Sequence, residues 1–287
     1  MSRLGVSTAT IASVDDWADG IETVLCDLDG VIWLAHQPIA GSVEAVGQLR
    51  SSGRRVMFVT NNSAATLDEH EQALGAVGIS ARGDVVSSAM AVTQMVQPGE
   101  RVLVAAGRGV AEAVGHAGAE VVVNTGVPVD GRIDAVVVGL HLEFDYDRLA
   151  VAAEAARTCR RLIGTNTDST YPTPHGLLPG GGSILAAVAS ASGVDPVIAG
   201  KPHQPLAELV ASILGGTTFD PARVLMVGDR PETDGLFAGR LGCRFALVRS
   251  GVNARTTPID DVTPIDLDLA DLAEVTHRLL HTDSTAQ

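Results

Sequence analysis

The sequence predicts an α/β protein built on parallel sheet and divided between two domains. Three features carry that expectation. Short runs rich in β-branched residues alternate with alanine-rich stretches of helical period, the pattern of successive βα units. Most of the runs are continuously apolar, as strands covered on both faces must be. The runs are also too many for one small sheet in a chain of 287 residues.

Residues 1–20 read as a lead-in, partly helical around Asp15–Gly20. Val24–Leu28 is the first strand and stops at Gly30. Val43–Ser51 is a helix by its apolar spacing, and Arg55–Thr60 is the second strand. Leu67–Val77 is the next helix, ended by Gly78 where a left-handed C′ residue is expected. Strands follow at Arg101–Ala105, Glu120–Val123 and Asp134–Gly139, with Gly118 in the same helix-ending position. Arg148–Arg157 is helical, Arg161–Gly164 a strand, and Ser183–Ser192 a helix ended by Gly193. Pro196–Ala199 is a short strand before a helix over Pro205–Leu214. Arg223–Val227 and Arg244–Val248 are the last strands, and residues 281–287 read as a frayed tail.

Composition removes several function classes. The formal net charge of −14 argues against nucleic acid and anionic membrane as partners, since both need basic surface. Aromatic residues are 3% of the chain, too few for base-stacking platforms. No apolar run reaches the roughly 18–20 residues of a membrane helix. The N-terminus lacks the basic-then-apolar layout of a signal peptide, so a cytoplasmic protein is expected. Cys26, Cys159 and Cys243 are far apart and form no CxxC pair, which speaks against zinc or a disulfide framework. Of the 20 basic residues, Lys201 is the single lysine. Where arginine is the habitual cation, a lone lysine marks a place that wants a compact point charge.

Ligands of an open parallel sheet bind beyond the carboxyl ends of its strands. Four strand ends carry polar residues. The first ends in Asp27-Leu28-Asp29-Gly30, a pair of carboxylates that a hard divalent cation would reconcile; turn capping by exposed acids is the plain alternative. The second ends in Thr60-Asn61-Asn62-Ser63, suited either to phosphate oxygens or to capping the next helix. The third is Gly200-Lys201-Pro202, placing the sole lysine where it would offset the acids. The fourth is Gly228-Asp229-Arg230 with Glu232 and Asp234 close behind, a natural cation site or an acidic loop opening a helix.

Taken together and in this order, DxDG, a threonine after an apolar strand, a lysine before proline, and GDxxxTD resemble the haloacid dehalogenase superfamily. Thirty-one positions separate Asp29 from Thr60, and 141 separate Thr60 from Lys201. The second domain therefore belongs between the second and third motifs, where that superfamily carries its large α/β caps. Asp134–Gly139 with Phe144, Tyr146 and Leu149, and the stretch Gly164–Ser183, resemble the NagD-like, or 4-nitrophenylphosphatase-like, branch. The resemblance runs from about Thr23 to Val252. It implies a Rossmann-like, doubly wound hydrolase core over 21–82 and 196–280, with an inserted α/β cap of the second type over 83–195 and frequent homodimers through the cap. Ala64, Ala65 and Thr66 stand where the branch often has basic residues.

What the resemblance implies chemically is a magnesium-dependent phosphatase acting on a small phosphorylated metabolite through an aspartyl-phosphate. Asp27 would be the nucleophile and Asp29 the acid and base. Thr60, Asn61 and Lys201 would bind phosphate. Mg²⁺ would be held by Asp27, the Asp29 carbonyl and Asp229, with Asp234 nearby. Asp168, Tyr171 and Pro172 would face the substrate from the cap. The alternatives are a phosphotransfer reaction of the same family and a non-catalytic phosphometabolite-binding protein; the latter is disfavoured because Asp27, Asp29, Lys201 and Asp229 are all present. Gly107-Arg108-Gly109 suggests a dinucleotide loop, but Glu112 occupies the place of the last glycine. The eight histidines show no metal-binding spacing.

Overall fold

The structure is a computed structural model that describes residues 18–173, 175–251 and 264–281. Most of the expected lead-in, and all of the tail beyond residue 281, lie outside the described residues.

Strand β1 (Thr23–Cys26) leads into a small hairpin of β2 (Trp33–Leu34) and β3 (Gln37–Pro38). A helix over Ser42–Ser51 returns to β4 (Arg55–Thr60), and one over Leu67–Ala76 to β5 (Val85–Ser87). A short helix, Ser88–Val92, precedes β6 (Arg101–Ala105), which is followed by a helix over Arg108–His116, β7 (Glu120–Val123) and β8 (Ala135–Val138). The helix Tyr146–Cys159 leads to β9 (Leu162–Gly164), then to a hairpin of β10 (Thr170–Thr173) and β11 (Gly176–Pro179). The helix Gly181–Ser192 precedes β12 (Val197–Ile198), and the helix Gln204–Ile213 precedes β13 (Val224–Gly228). A helix over Leu236–Leu241, strands β14 (Arg244–Val248) and β15 (Leu267–Leu269) and a helix over Leu272–Leu280 are the last of the described elements.

Apart from the two antiparallel hairpins, the strands form two parallel sheets. The first has the order β15-β14-β13-β1-β4-β5, the second β12-β9-β8-β6-β7. Chain order reverses in the first sheet between β1 and β13, so the sheet is doubly wound with its crevice at that point. Continuous burial confirms the reading of the apolar runs: every residue of β8, β9 and β13 is buried. One apolar cluster is shared by both sheets, running from Leu25, Met57 and Met226 through Val110 and Val210 to Val102 and Val137. Separate clusters cover the outer face of each sheet, around Phe58 and Leu225 in one and Leu103 and Val188 in the other. The two sheets are thus joined through a common inner layer of helices. Among the described residues no helix is long and apolar enough to cross a membrane.

The points at which the chain changes sheet differ from the expected 82/83 and 195/196. Val85–Ser87 pairs with β4 in the first sheet, and Val197–Ile198 pairs with β9 in the second. Both strands are edge additions of two or three residues; β5 is too short to show a period in the sequence, while Pro196–Ala199 reads as a strand and only its pairing shows which sheet it joins. The hairpin β10–β11 was hidden for another reason. Each of its strands carries a proline, which a two-stranded edge ribbon accepts and a sheet interior does not.

Candidate active site

Register places the polar strand ends side by side. Cys26 pairs with Phe58 of β4 and with Val227 of β13. The residues just beyond, Asp27, Thr60 and Asp229, therefore emerge together at the carboxyl edge of the sheet, at the crevice where winding reverses. The Asp27 N–H donates to Val227 O at 2.9 Å, extending the ladder by one bond. The Leu28 N–H donates to Asp27 Oδ1 at 2.8 Å and limits rotation of the carboxylate.

Lys201 reaches this edge from beneath and is 1% exposed. Its ammonium lies 2.9 Å from Asp27 Oδ1 and 2.7 Å from Asp234 Oδ1, and donates to Val59 O at 2.9 Å. Those contacts engage all three ammonium protons, so a phosphate oxygen at Lys201 would have to share a proton with one of them. Burial works to lower the Lys201 pKa, but the Asp234 and Asp27 charges outweigh it and hold the ammonium above its ordinary value. Asp234 is fully buried. Burial raises its carboxyl, Lys201 opposes that, and the balance lies above the usual range for a carboxylate.

Carboxylate oxygens of Asp27, Asp229 and Asp234 lie within 4.8 Å of one another. The loop backbone makes room for them. Gly30 has φ +89°, and a Cβ there would sit 2.5 Å from Asp229 Cγ; a Cβ on Gly251 would also collide with Asp229, and one on Gly228 with Asp234. So dense a group of acids around one ammonium retains a negative excess, and hard oxygen donors at this spacing suit a divalent cation of the Mg²⁺ or Ca²⁺ kind. The Asp29 side chain is not one of that group of carboxylates. Burial, then the charges of Asp27 and Asp229, push Asp29 up to about 7.

The Asn61 side-chain amide is engaged within the protein. Its Oδ1 accepts Lys201 N–H at 2.8 Å, and its Nδ2 donates to Lys201 O and to Asp168 Oδ2, each at 3.1 Å. Both amide protons are therefore engaged inside the protein. Thr60 is buried and its Oγ1 accepts the Asn62 N–H at 3.1 Å.

The loop after β9 and the hairpin β10–β11 supply the roof. Asp168, Tyr171 and Pro172 line the same cleft as Asp27, Asp29, Thr60, Lys201 and Asp229. Its volume is about 90 Å³, far below the roughly 300–1,000 Å³ of pockets that enclose drug-sized ligands. The Tyr171 hydroxyl is raised above its ordinary pKa by burial and by the nearby Asp29 charge. Sequence reasoning assigned no role to Arg230 or Asn166, which also line the cleft. Arg230 sits 3.9 Å from Asp168 Oδ1, an approach between residues 62 positions apart that no local pattern announces. Asn166 does fall within the stretch Gly164–Ser183 that carries the resemblance, two residues before Asp168. The glycine loop at 107–109 packs against the loop after Thr60: Gly109 N–H donates to Ala64 O at 3.1 Å, and a Cβ on Gly107 would lie 2.6 Å from Ala64. Those glycines seat the second sheet on the loop after Thr60.

Comparison with known proteins gives a consistent result. Residues 24–120 match the family described as haloacid dehalogenase-like hydrolase, and residues 198–275 match a HAD-hydrolase-like family. The chain is 36% identical over 273 residues to D-glycerol 3-phosphate phosphatase of Mycobacterium tuberculosis, covering 92% of this chain and 72% of that one. It is 34% identical over 233 residues to acid sugar phosphatase of Staphylococcus aureus, covering 80% and 86%. The crystal structure of glycerol phosphate phosphatase from Mycobacterium tuberculosis in complex with magnesium superposes with a TM-score of 0.80 at 34% identity, over 95% of this chain and 79% of that chain.

Proposed function

Because this chain belongs to the haloacid dehalogenase-like hydrolases and is a phosphomonoester hydrolase, we propose that it cleaves a small polyol or sugar phosphate through a phosphoryl group carried on Asp27. The observation that carries the reading is the buried Lys201 ammonium, shared between Asp27 and Asp234 beside Asp229. The substrate class is supported by the activities of the two relatives, glycerol 3-phosphate and sugar phosphate hydrolysis. A cleft of about 90 Å³ lined by Asn166, Thr170 and Tyr171 suits a short, hydroxylated leaving group.

Asp27 attacks phosphorus and the ester bond to the leaving oxygen breaks, which divides one difficult displacement into two easier ones. Asp29 delivers its proton to the departing alkoxide, so the alcohol leaves neutral. Water then attacks the same phosphorus, Asp29 takes that proton, and the bond to Asp27 breaks to release phosphate and the original carboxylate. Lys201 fixes Asp27 for attack in both half-reactions. Thr60 would meet a phosphoryl oxygen. Asp27, Asp229 and the Asp29 carbonyl would hold Mg²⁺, with Asp234 supporting Lys201; the cation supplies charge neutralisation for the phosphoryl oxygens. Tyr171 and Pro172 confine the leaving group from above.

The test is hydrolysis of a phosphometabolite panel with and without magnesium, by wild type and Asp27→Asn. Turnover should need magnesium, favour short polyol and sugar phosphates in kcat/KM, and vanish in the variant. A variant as fast as wild type, or turnover indifferent to magnesium and chelator, would overturn the mechanism. A preference for nucleotides or phosphoproteins would overturn the substrate class.

A further inference from the structure

Asp168, Asn61, Lys201, Asp234 and Arg230 form a closed circuit of polar contacts across the two sheets. From Asp168 Oδ2 the path runs to Asn61 Nδ2 at 3.1 Å, and from Asn61 Oδ1 to Lys201 N at 2.8 Å. It continues through Lys201 Nζ to Asp234 Oδ1 at 2.7 Å and from Asp234 Oδ2 to Arg230 N at 3.2 Å, closing at Arg230 and Asp168 across 3.9 Å. Asp168 lines the cleft from the loop that follows β9.

The Asn61 end of the circuit is held from every side. Its carbonyl accepts from Ser88 Oγ and from Asn166 Nδ2, both at 2.8 Å. Its amide grips both the N–H and the C=O of Lys201. Packing leaves no slack: a Cβ on Gly200 would lie 2.5 Å from Asn61 Oδ1 and 2.5 Å from Thr165 O. Asn166 Oδ1 accepts the Asp168 N–H at 3.1 Å and so sets the carboxylate that faces Asn61. A lysine carries its ammonium on four flexible carbons, and holding that ammonium to a fixed place depends on a fixed backbone.

We propose that Asp168 and Asn61 are positioning residues for Lys201. The Asp168 carboxylate, seated on the Asn61 amide, fixes the lysine backbone and thereby the ammonium that holds Asp27. Seating of the second sheet over the cleft and readiness of the nucleophile are then one event. Asp168 on this account acts on the phosphoryl end of the reaction, with no part in recognising the leaving group. The inference rests on the proposed phosphatase reaction.

The test is steady-state kinetics with p-nitrophenyl phosphate, whose leaving group has no hydroxyl beyond the ester oxygen, and glycerol 3-phosphate. Wild type is compared with Asp168→Ala, Asp168→Asn, Asn61→Ala and the Asp168→Ala/Asn61→Ala double variant, with thermal melts to establish folding; Asn61→Ser replaces Asn61→Ala if the latter does not fold. Each alanine variant should lose roughly 10- to 100-fold in kcat on both substrates, with KM little changed. The double variant should be no worse than the poorer single, because both break one chain of contacts. Asp168→Asn keeps an acceptor for Asn61 and should recover much of the loss. With wild type active, an Asp168→Ala defect confined to KM for glycerol 3-phosphate would overturn this inference alone and make Asp168 a substrate ligand. Losses that multiply in the double variant would also overturn it. Wild type inactive on both esters in magnesium would overturn the phosphatase reading and this inference with it.

Discussion

Replacing Lys201 by arginine keeps the charge and changes only the shape in which it is delivered. The wild-type ammonium sends three protons from a single atom to Asp27 Oδ1, Asp234 Oδ1 and Val59 O, at 2.9, 2.7 and 2.9 Å. A planar guanidinium spreads its donors across a rigid fork and cannot converge them on those acceptors. Losing one charge-assisted hydrogen bond costs roughly 1.5–3 kcal/mol. If that loss falls on the Asp27 contact in the transition state, kcat drops by roughly 10- to 150-fold, at about 1.36 kcal/mol per decade. The site is also closed around the side chain, which is 1% exposed. Forcing in the larger group adds roughly 1–3 kcal/mol of overpacking, and the melting temperature falls by several degrees. The assay is magnesium-supported hydrolysis of p-nitrophenyl phosphate alongside a thermal melt of each protein. A Lys201→Arg enzyme within about threefold of wild-type kcat would refute the geometric reasoning, since it would mean that charge alone suffices.

Other perturbations address separate parts of the account. Gly30→Ala puts a methyl 2.5 Å from Asp229 Cγ at φ +89°, so both backbone and carboxylate must shift. Magnesium affinity measured by calorimetry should weaken by roughly 10-fold or more, as when the support of a metal ligand is lost; unchanged affinity would remove Asp229 from the cation site. His70 is buried and its Nε2 meets Asn62 O at 3.1 Å, with burial, aided by the His36 charge, holding its pKa below the ordinary value despite that contact. The unfolded chain therefore binds a proton near pH 6.5 that the folded chain refuses, and stability falls as pH drops through 6.5 towards the lower folded pKa. Between about pH 7.5 and about pH 5.5, wild type should lose more stability to urea than His70→Gln, which keeps a donor for Asn62. Equal losses in the two proteins would show that His70 carries no such linkage.

Much of this site was legible in the sequence because its members sit at strand ends. Continuous apolar runs such as Arg55–Thr60 and Arg244–Val248 have the bounds expected from composition alone. Parallel register then carries Asp27, Thr60 and Asp229 to one edge with no further information. Lys201 stood out by being the single lysine. What stayed hidden depends on contacts between distant positions. Strand β5 is three residues long and gains its place from β4, not from a period of its own. Asn61 reads as a ligand in a row of polar residues, and only the approach of Gly200-Lys201 shows that its amide is already occupied. The meeting of Asp168 and Arg230 is likewise a product of how the second sheet seats on the first.

The proposed reaction passes through a phosphoryl group bonded to Asp27. The direct measurement is acid quench of Asp29→Asn during turnover of p-nitrophenyl phosphate with magnesium, followed by peptide mass spectrometry. That variant forms the bond when the leaving group is good but cannot activate the water that breaks it. Phosphoryl mass should appear on the peptide containing Asp27 and be absent from the Asp27→Asn/Asp29→Asn control. Phosphoryl mass on another residue, or a burst of p-nitrophenol with no phosphorylated peptide, would contradict it.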